Sequence, residues 1–72
     1  MQLRLTQHPL KNMQRRAVSV GEIEAIIERP DSTTIGDFEI VYDGVVRDRG
    51  IRVVVDRFSD PPWVVTLMPR RR

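Results

Sequence analysis

Gly50-Ile51-Arg52-Val53-Val54-Val55-Asp56-Arg57 and its echo, Trp63-Val64-Val65-Thr66-Leu67-Met68, decide the fold. Both are short runs rich in β-branched residues, each bounded by turn signals, and both read as strands. Ser59-Asp60-Pro61-Pro62 lies between them. That connection suits a hairpin and is far too short for a parallel crossover. On the first strand Ile51, Val53 and Val55 point one way, while Arg52, Val54 and Asp56 point the other. One face is wholly apolar and the other carries charge, as expected of a sheet covered on one side by helices. Whether Thr66 shares the face of Arg52 depends on the hairpin register, because a slip of one residue moves it across.

The 72 residues make one domain, 1–72, with a basic tail at 70–72. A chain of this length buries only about 60% of its unfolded surface, so modest stability is expected. It has no cysteine, hence no disulfide or thiolate–metal staple and no pointer to an oxidising compartment. No apolar run approaches the roughly 20 residues that span a bilayer, and the first residues lack a signal-peptide pattern. The expectation is a cytoplasmic domain with no membrane partner. Net charge is +2, but its distribution is uneven. Residues 1–20 carry four basic groups and no acid, residues 21–69 carry ten acids against five arginines, and Arg70-Arg71-Arg72 follows. Eleven of the twelve basic residues are arginine, which favours bidentate phosphate recognition; arginine-rich codon usage explains the same excess.

Met1–Leu5 alternates and reads as an edge strand or a lead-in. Thr6 offers an N-cap hydroxyl, and Pro9 is tolerable in a first helical turn. Leu10, Met13 and Ala17 then recur at helical spacing, with His8, Asn12 and Arg15 expected on the opposite side and Arg16 at its flank. Ser19-Val20-Gly21-Glu22 is a capping box, with Val18 and Ile23 spaced as its hydrophobic staple. The second helix buries Ile23, Ile26 and Ile27, solvates Glu22, Glu24 and Glu28, and stops before Pro30. Asp31–Thr34 reads as loop. Phe38, Ile40 and Tyr42 alternate as a strand, Asp43-Gly44 reads as a tight turn or a bulge, and Arg47–Gly50 as the next turn. The whole is an α+β layer: two N-terminal helices packed on one face of three or four antiparallel strands. Val53, Val55, Ile23, Ile26, Ile27, Leu10 and Met13 are the expected core.

Chemistry is sparse. There is no glycine-rich phosphate loop, no metal-ligand spacing, and no serine or cysteine nucleophile beside a base. One histidine without cysteine makes a zinc site improbable. No metal or cofactor is expected. What remains is His8 with Arg15 and Arg16 on a helix, and Tyr42, Arg52 and Thr66 on the sheet. Each also has an ordinary reading: a surface histidine, strand propensity for Thr66, half-buried packing for Tyr42, and a cross-sheet ion pair for Arg52.

Thr6-x-His8-x4-Met13-x2-Arg16-x2-Ser19-x2-Glu22-Ile23, then Pro30-Asp31, Ile51-Arg52-Val53-Val54-Val55 and Val64-Val65-Thr66-Leu67 resembles a small prokaryotic domain-of-unknown-function family. That family is grouped with the barnase/EndoU/colicin/RelE-like toxin superfamily. The resemblance runs from Thr6 to Leu67. It implies two helices against an antiparallel sheet and metal-independent cleavage of RNA by a toxin. Its polar pattern falls on His8, Arg16, Arg52 and Thr66. Where the family often has arginine this chain has Asn12, and where it often has glycine this chain has Ala17. Arg15 is expected to stand in for the missing cation.

RNA brings its own nucleophile, the 2′-OH, so such an enzyme needs a proton acceptor, a proton donor and cations for the phosphate. His8 suits a proton role, Tyr42 is the candidate for the second, Arg16 and Arg52 are candidate phosphate forks, and Thr66 adds a hydrogen bond. Lys11, Arg15, Arg70, Arg71 and Arg72 are the expected RNA-binding set. The implied partners are RNA, free or on the ribosome, and a small antitoxin or immunity protein. The competing expectation is a non-catalytic nucleic-acid- or protein-binding module on the same fold.

Overall fold

The order of elements is β1 (Arg4–Leu5), α1 (Gln7–Arg16), α2 (Val20–Glu28), β2 (Ser32–Ile35), β3 (Glu39–Val46), β4 (Arg49–Asp56) and β5 (Trp63–Pro69). They belong to a computed structural model that describes residues 2–70. The α+β class and the two leading helices are as expected, but the sheet is larger and not purely antiparallel. It has five strands in the order β1-β5-β4-β3-β2, and β1 runs parallel to β5. Two elements account for the difference. Arg4–Leu5, within the stretch read as an edge strand or a lead-in, is an edge strand, held where Arg4 N donates to Pro62 O at 2.8 Å. Ser32–Ile35, with Ser32–Thr34 expected as loop, pairs with β3. All four of its residues are exposed, so it has no buried face to impose the alternation by which a strand is recognised.

Asp43-Gly44 is neither a turn nor a bulge. β3 runs straight through it in unbroken register with β4. Its glycine serves close approach instead: a Cβ on Gly44 would stand 2.8 Å from Ile26 Cγ1, so α2 rests directly on this strand. The turn to β4 is Arg47–Asp48, both at positive φ (47° and 65°), the hand that a two-residue hairpin prefers. Arg47 is held there by Glu22 Oε2 at 2.7 Å and by the carbonyl of Ala17.

α2 begins with the expected capping box. Glu22 N donates to Ser19 Oγ at 3.2 Å, and Ser19 N donates to Glu22 Oε1 at 2.9 Å. That backbone donor, with Arg47 beside it, holds the Glu22 carboxyl below its ordinary pKa. α1 starts differently from expectation: Thr6 is the N-cap by backbone only, and its hydroxyl makes no cap bond. α1 ends with Ala17 in the left-handed region (φ 52°, ψ 49°), Ala17 N donating to Gln14 O and Val18 N to Met13 O. This is a Schellman ending, and Met13 and Val18 at its two ends are both buried.

One hydrophobic cluster joins helices and sheet. Met13, Val18, Ile23 and Ile26 meet Val46, Ile51, Val53, Val55, Val64 and Leu67, with Ile27 and Tyr42 partly buried beside them. Leu10 is not in it; the residue is 44% exposed. α1 instead buries Pro9, Asn12 and Met13. The helix is therefore turned from the orientation its apolar stripe suggests, and one of its polar residues faces inward.

Candidate functional site

The β4–β5 hairpin fixes where Thr66 points. Val53 pairs with Leu67 and Val54 with Thr66, but the next β4 residue, Val55, pairs with Val64. Val65 is the extra residue of a β-bulge. Without it the register at Val55 would set Thr66 opposite Val53, on the core face. With it, Thr66 shares the face of Val54 and Arg52, while Val64 and Leu67 both stay in the core.

α1 lies against β5, beyond the two residues that β1 covers. The turn of helix that buries Asn12 brings it to the bulge. Asn12 Nδ2 donates to Thr66 Oγ1 at 3.1 Å and lies 3.2 Å from His8 Nε2, one helical turn back. Thr66 Oγ1 closes the triangle, 3.3 Å from the same nitrogen. Whether Nε2 accepts or donates in these two contacts is set by the imidazole tautomer. Asn12 is only 9% exposed, whereas His8 stands in solvent. The imidazole is thus anchored by one nitrogen. Nδ1 has no hydrogen-bond partner among the described residues.

Of the residues singled out from sequence, His8 and Thr66 come together, and Asn12 is the link between them. Reading Asn12 as an outward residue missed this. Its i, i+4 spacing from His8 and its place between Pro9 and Met13 are the signals that point to it. Arg16 follows Asn12 at the same spacing and is half-buried. Its Nε is enclosed without a hydrogen-bond partner among the described residues. Lys11 and Arg15 are exposed on the same helix.

Arg52 is engaged elsewhere. Its Nε donates to Asp43 Oδ1 at 2.9 Å, and Ser32 Oγ donates to Asp43 Oδ2 at 3.0 Å. The Arg52 hydrogen bond, aided by that of Ser32, holds the buried Asp43 carboxyl below its ordinary pKa, and the pairing raises Arg52. Asp43 lies directly across the ladder from Arg52, so strand alternation could have paired them once the β3–β4 register was known. Tyr42 pairs with Val53 and packs on the core, on the sheet face opposite Thr66. Arg70 is not a frayed end. Its backbone N donates to Gly50 O at 2.9 Å, and its guanidinium lies 3.5 Å from Asp31. Arg71 and Arg72, expected with it as RNA-binding residues, lie outside the described residues.

No group of His, Cys, Asp and Glu that could hold a metal occurs among the described residues, and no helix there is long and apolar enough to cross a membrane. No curated protein and no solved structure matches the chain. A family model described as "Domain of unknown function (DUF4258)" matches residues 5–69, from β1 to the last residue of β5, and so takes in all three members of the His8–Asn12–Thr66 triangle. The chain belongs to that family.

Proposed function

We propose that this domain is a metal-independent endoribonuclease, the toxin of a toxin–antitoxin or related conflict system. The observation that carries the reading is the anchored histidine: Nε2 of the exposed His8 is held by Asn12 and Thr66 at 3.2 and 3.3 Å, and Nδ1 is without a hydrogen-bond partner among the described residues. Turning the Asn12 amide over exchanges its oxygen and nitrogen at nearly the same positions. Its oxygen then accepts the proton of Nε2, and Nδ1 is bare. In that state His8 removes the proton of an RNA 2′-OH. The 2′ oxygen attacks the adjacent phosphorus, the bond from phosphorus to the 5′ oxygen breaks, and water supplies the proton that the leaving oxygen takes. A 2′,3′-cyclic phosphate remains. Arg16 and Arg15 on the same helix face the charge that develops on the phosphate. Arg52 keeps its two terminal nitrogens for phosphate while Nε stays on Asp43. The partners in this reading are RNA, free or ribosome-bound, and a small antitoxin whose acidic segment covers the arginines.

A non-catalytic nucleic-acid- or protein-binding module is the second reading. It is favoured by the commitment of Arg52 to Asp43, which leaves the triangle without a close cation from the sheet. Product analysis separates the two. Incubated with RNA in EDTA, the protein is expected to leave 2′,3′-cyclic phosphate ends and to spare the same RNA carrying 2′-deoxy residues. Binding without cleavage, with and without ribosomes, selects the module.

A further inference from the structure

β2 is an outer strand of the sheet, and its four residues are all exposed. Gly36 N donates to Glu39 O at 2.7 Å. Counting along the antiparallel ladder from that pair, Thr33 and Ile35 turn their N–H and C=O away from β3, towards open space. Beside this edge stand the three most exposed large apolar side chains among the described residues: Phe38 at 74%, Phe58 at 72% and Ile35 at 65%. Arg57 ties their loops together, its backbone N donating to Phe38 O and its Nη1 to Gly36 O, both at 2.9 Å.

The charge here is the opposite of that on α1. Asp37, Glu39, Asp56 and Asp60 flank Phe38 and Phe58 in the sequence and outnumber Arg57, whose guanidinium lies over the Phe58 ring; none of the four acids is in an ion pair among the described residues. Glu39 and Asp56 are direct cross-strand partners. Like charges so placed are destabilising until a cation joins them. The register also separates the two chemistries by face. Ile35 aligns with Ile40 and Val55 on the helix side, whereas Glu39 and Asp56 lie on the other.

We propose that this edge receives an extended segment of a protein partner, which adds to β2 as a further strand. Its side chains alternate: apolar ones cover Ile35 on the helix side and Phe38 in the turn at its end, and a lysine or arginine on the other face reaches over Gly36 to Glu39, the nearest of the acids in the ladder. Charge selects this occupant. Pairing β2 antiparallel with β2 of a second copy sets Asp31 of each against Asp37 or Glu39 of the other, and an anionic bilayer is repelled for the same reason. The edge lies at the other side of the sheet from β5 and the His8 triangle, so it stands or falls independently of RNA cleavage.

The probe is the peptide Lys-Val-Lys-Phe-Lys-Val-Lys-Val, with Glu in place of every Lys as control, titrated into the full chain and followed by amide NMR. The lysine peptide is expected to shift Thr33, Ile35 and Phe38, to slow amide exchange at Thr33 and Ile35, and to bind at least about tenfold tighter than the control. Phe38→Ser and Glu39→Gln are each expected to weaken it by about tenfold. Thr33→Pro removes an outward donor without taking a bond from the β2–β3 ladder and is expected to abolish it. Equal or absent binding of the two peptides overturns the proposal, as do shifts centred on His8 and Thr66. Exchange protection of Thr33 and Ile35 in a dimer of the protein alone overturns it in favour of a second copy.

Discussion

Ala17 sits where a helix ending calls for a left-handed residue, and its Cβ makes that conformation costly. Ala17→Gly is expected to stabilise the fold by about 1 kcal/mol, read as a higher urea midpoint with unchanged slope. Asp43 gives a second residue-level outcome. Its carboxyl is held below the ordinary value in the folded chain by Arg52 and Ser32, so protons bind more readily to the unfolded chain. The stabilisation is complete above about pH 4, the unfolded value, and drains away as pH falls through the lower folded one. Asp43→Asn is expected to cost about 1–3 kcal/mol at pH 7 and progressively less below pH 4, giving a flatter acid limb in urea melts at stepped pH. A pH-independent penalty would show that the charge on Asp43 is irrelevant. The triangle itself was half legible: His8 and Thr66 stand out by residue type, but Asn12 was hidden because its burial depends on how α1 rolls against β5.

At the scale of elements, α2 and β3 meet at Gly44. Gly44→Ala would force its new Cβ within 2.8 Å of Ile26 Cγ1, a buried side chain with little room to yield. The expected cost is about 1–3 kcal/mol, and Ile26→Ala in the same chain should recover part of it. Additive losses in the double mutant would mean that the two residues do not bear on each other. The two helices and the β4–β5 hairpin were readable because a buried face writes a period into the sequence: Ile23 with Ile26, and Ile51 with Val53 and Val55. β2 was not, because a strand exposed on both faces obeys no such pattern. β1 pairs across the length of the chain with Trp63 and Val64, which no local signal announces. The bulge at Val65 was equally silent, since Val64-Val65 fits either register, and it alone decides which face receives Thr66.

Over the whole molecule the charges divide. Lys11, Arg15 and Arg16 lie on α1, whereas Asp37, Glu39, Asp56 and Asp60 gather around the β2–β3 turn and the β4–β5 loop. RNA affinity is therefore expected to respond to one side only. Each of Lys11→Ala and Arg15→Ala should reduce the salt dependence of binding to single-stranded RNA by about 0.7 in slope, one phosphate contact apiece, while Asp37→Asn and Asp60→Asn leave it unchanged. Equal effects from both groups would point to overall charge and not to a placed surface. RNA cleavage depends most on His8, which is exposed and, among the described residues, hydrogen-bonded only to Asn12 and Thr66, so its removal should spare the fold. The direct measurement is the rate of RNA cleavage in EDTA, with and without ribosomes, by the wild-type protein and by His8→Ala at matched thermal stability. A loss of at least about a hundredfold is expected, the usual scale of a general acid–base contribution. Equal rates in the two proteins, or no cleavage by either, would contradict it.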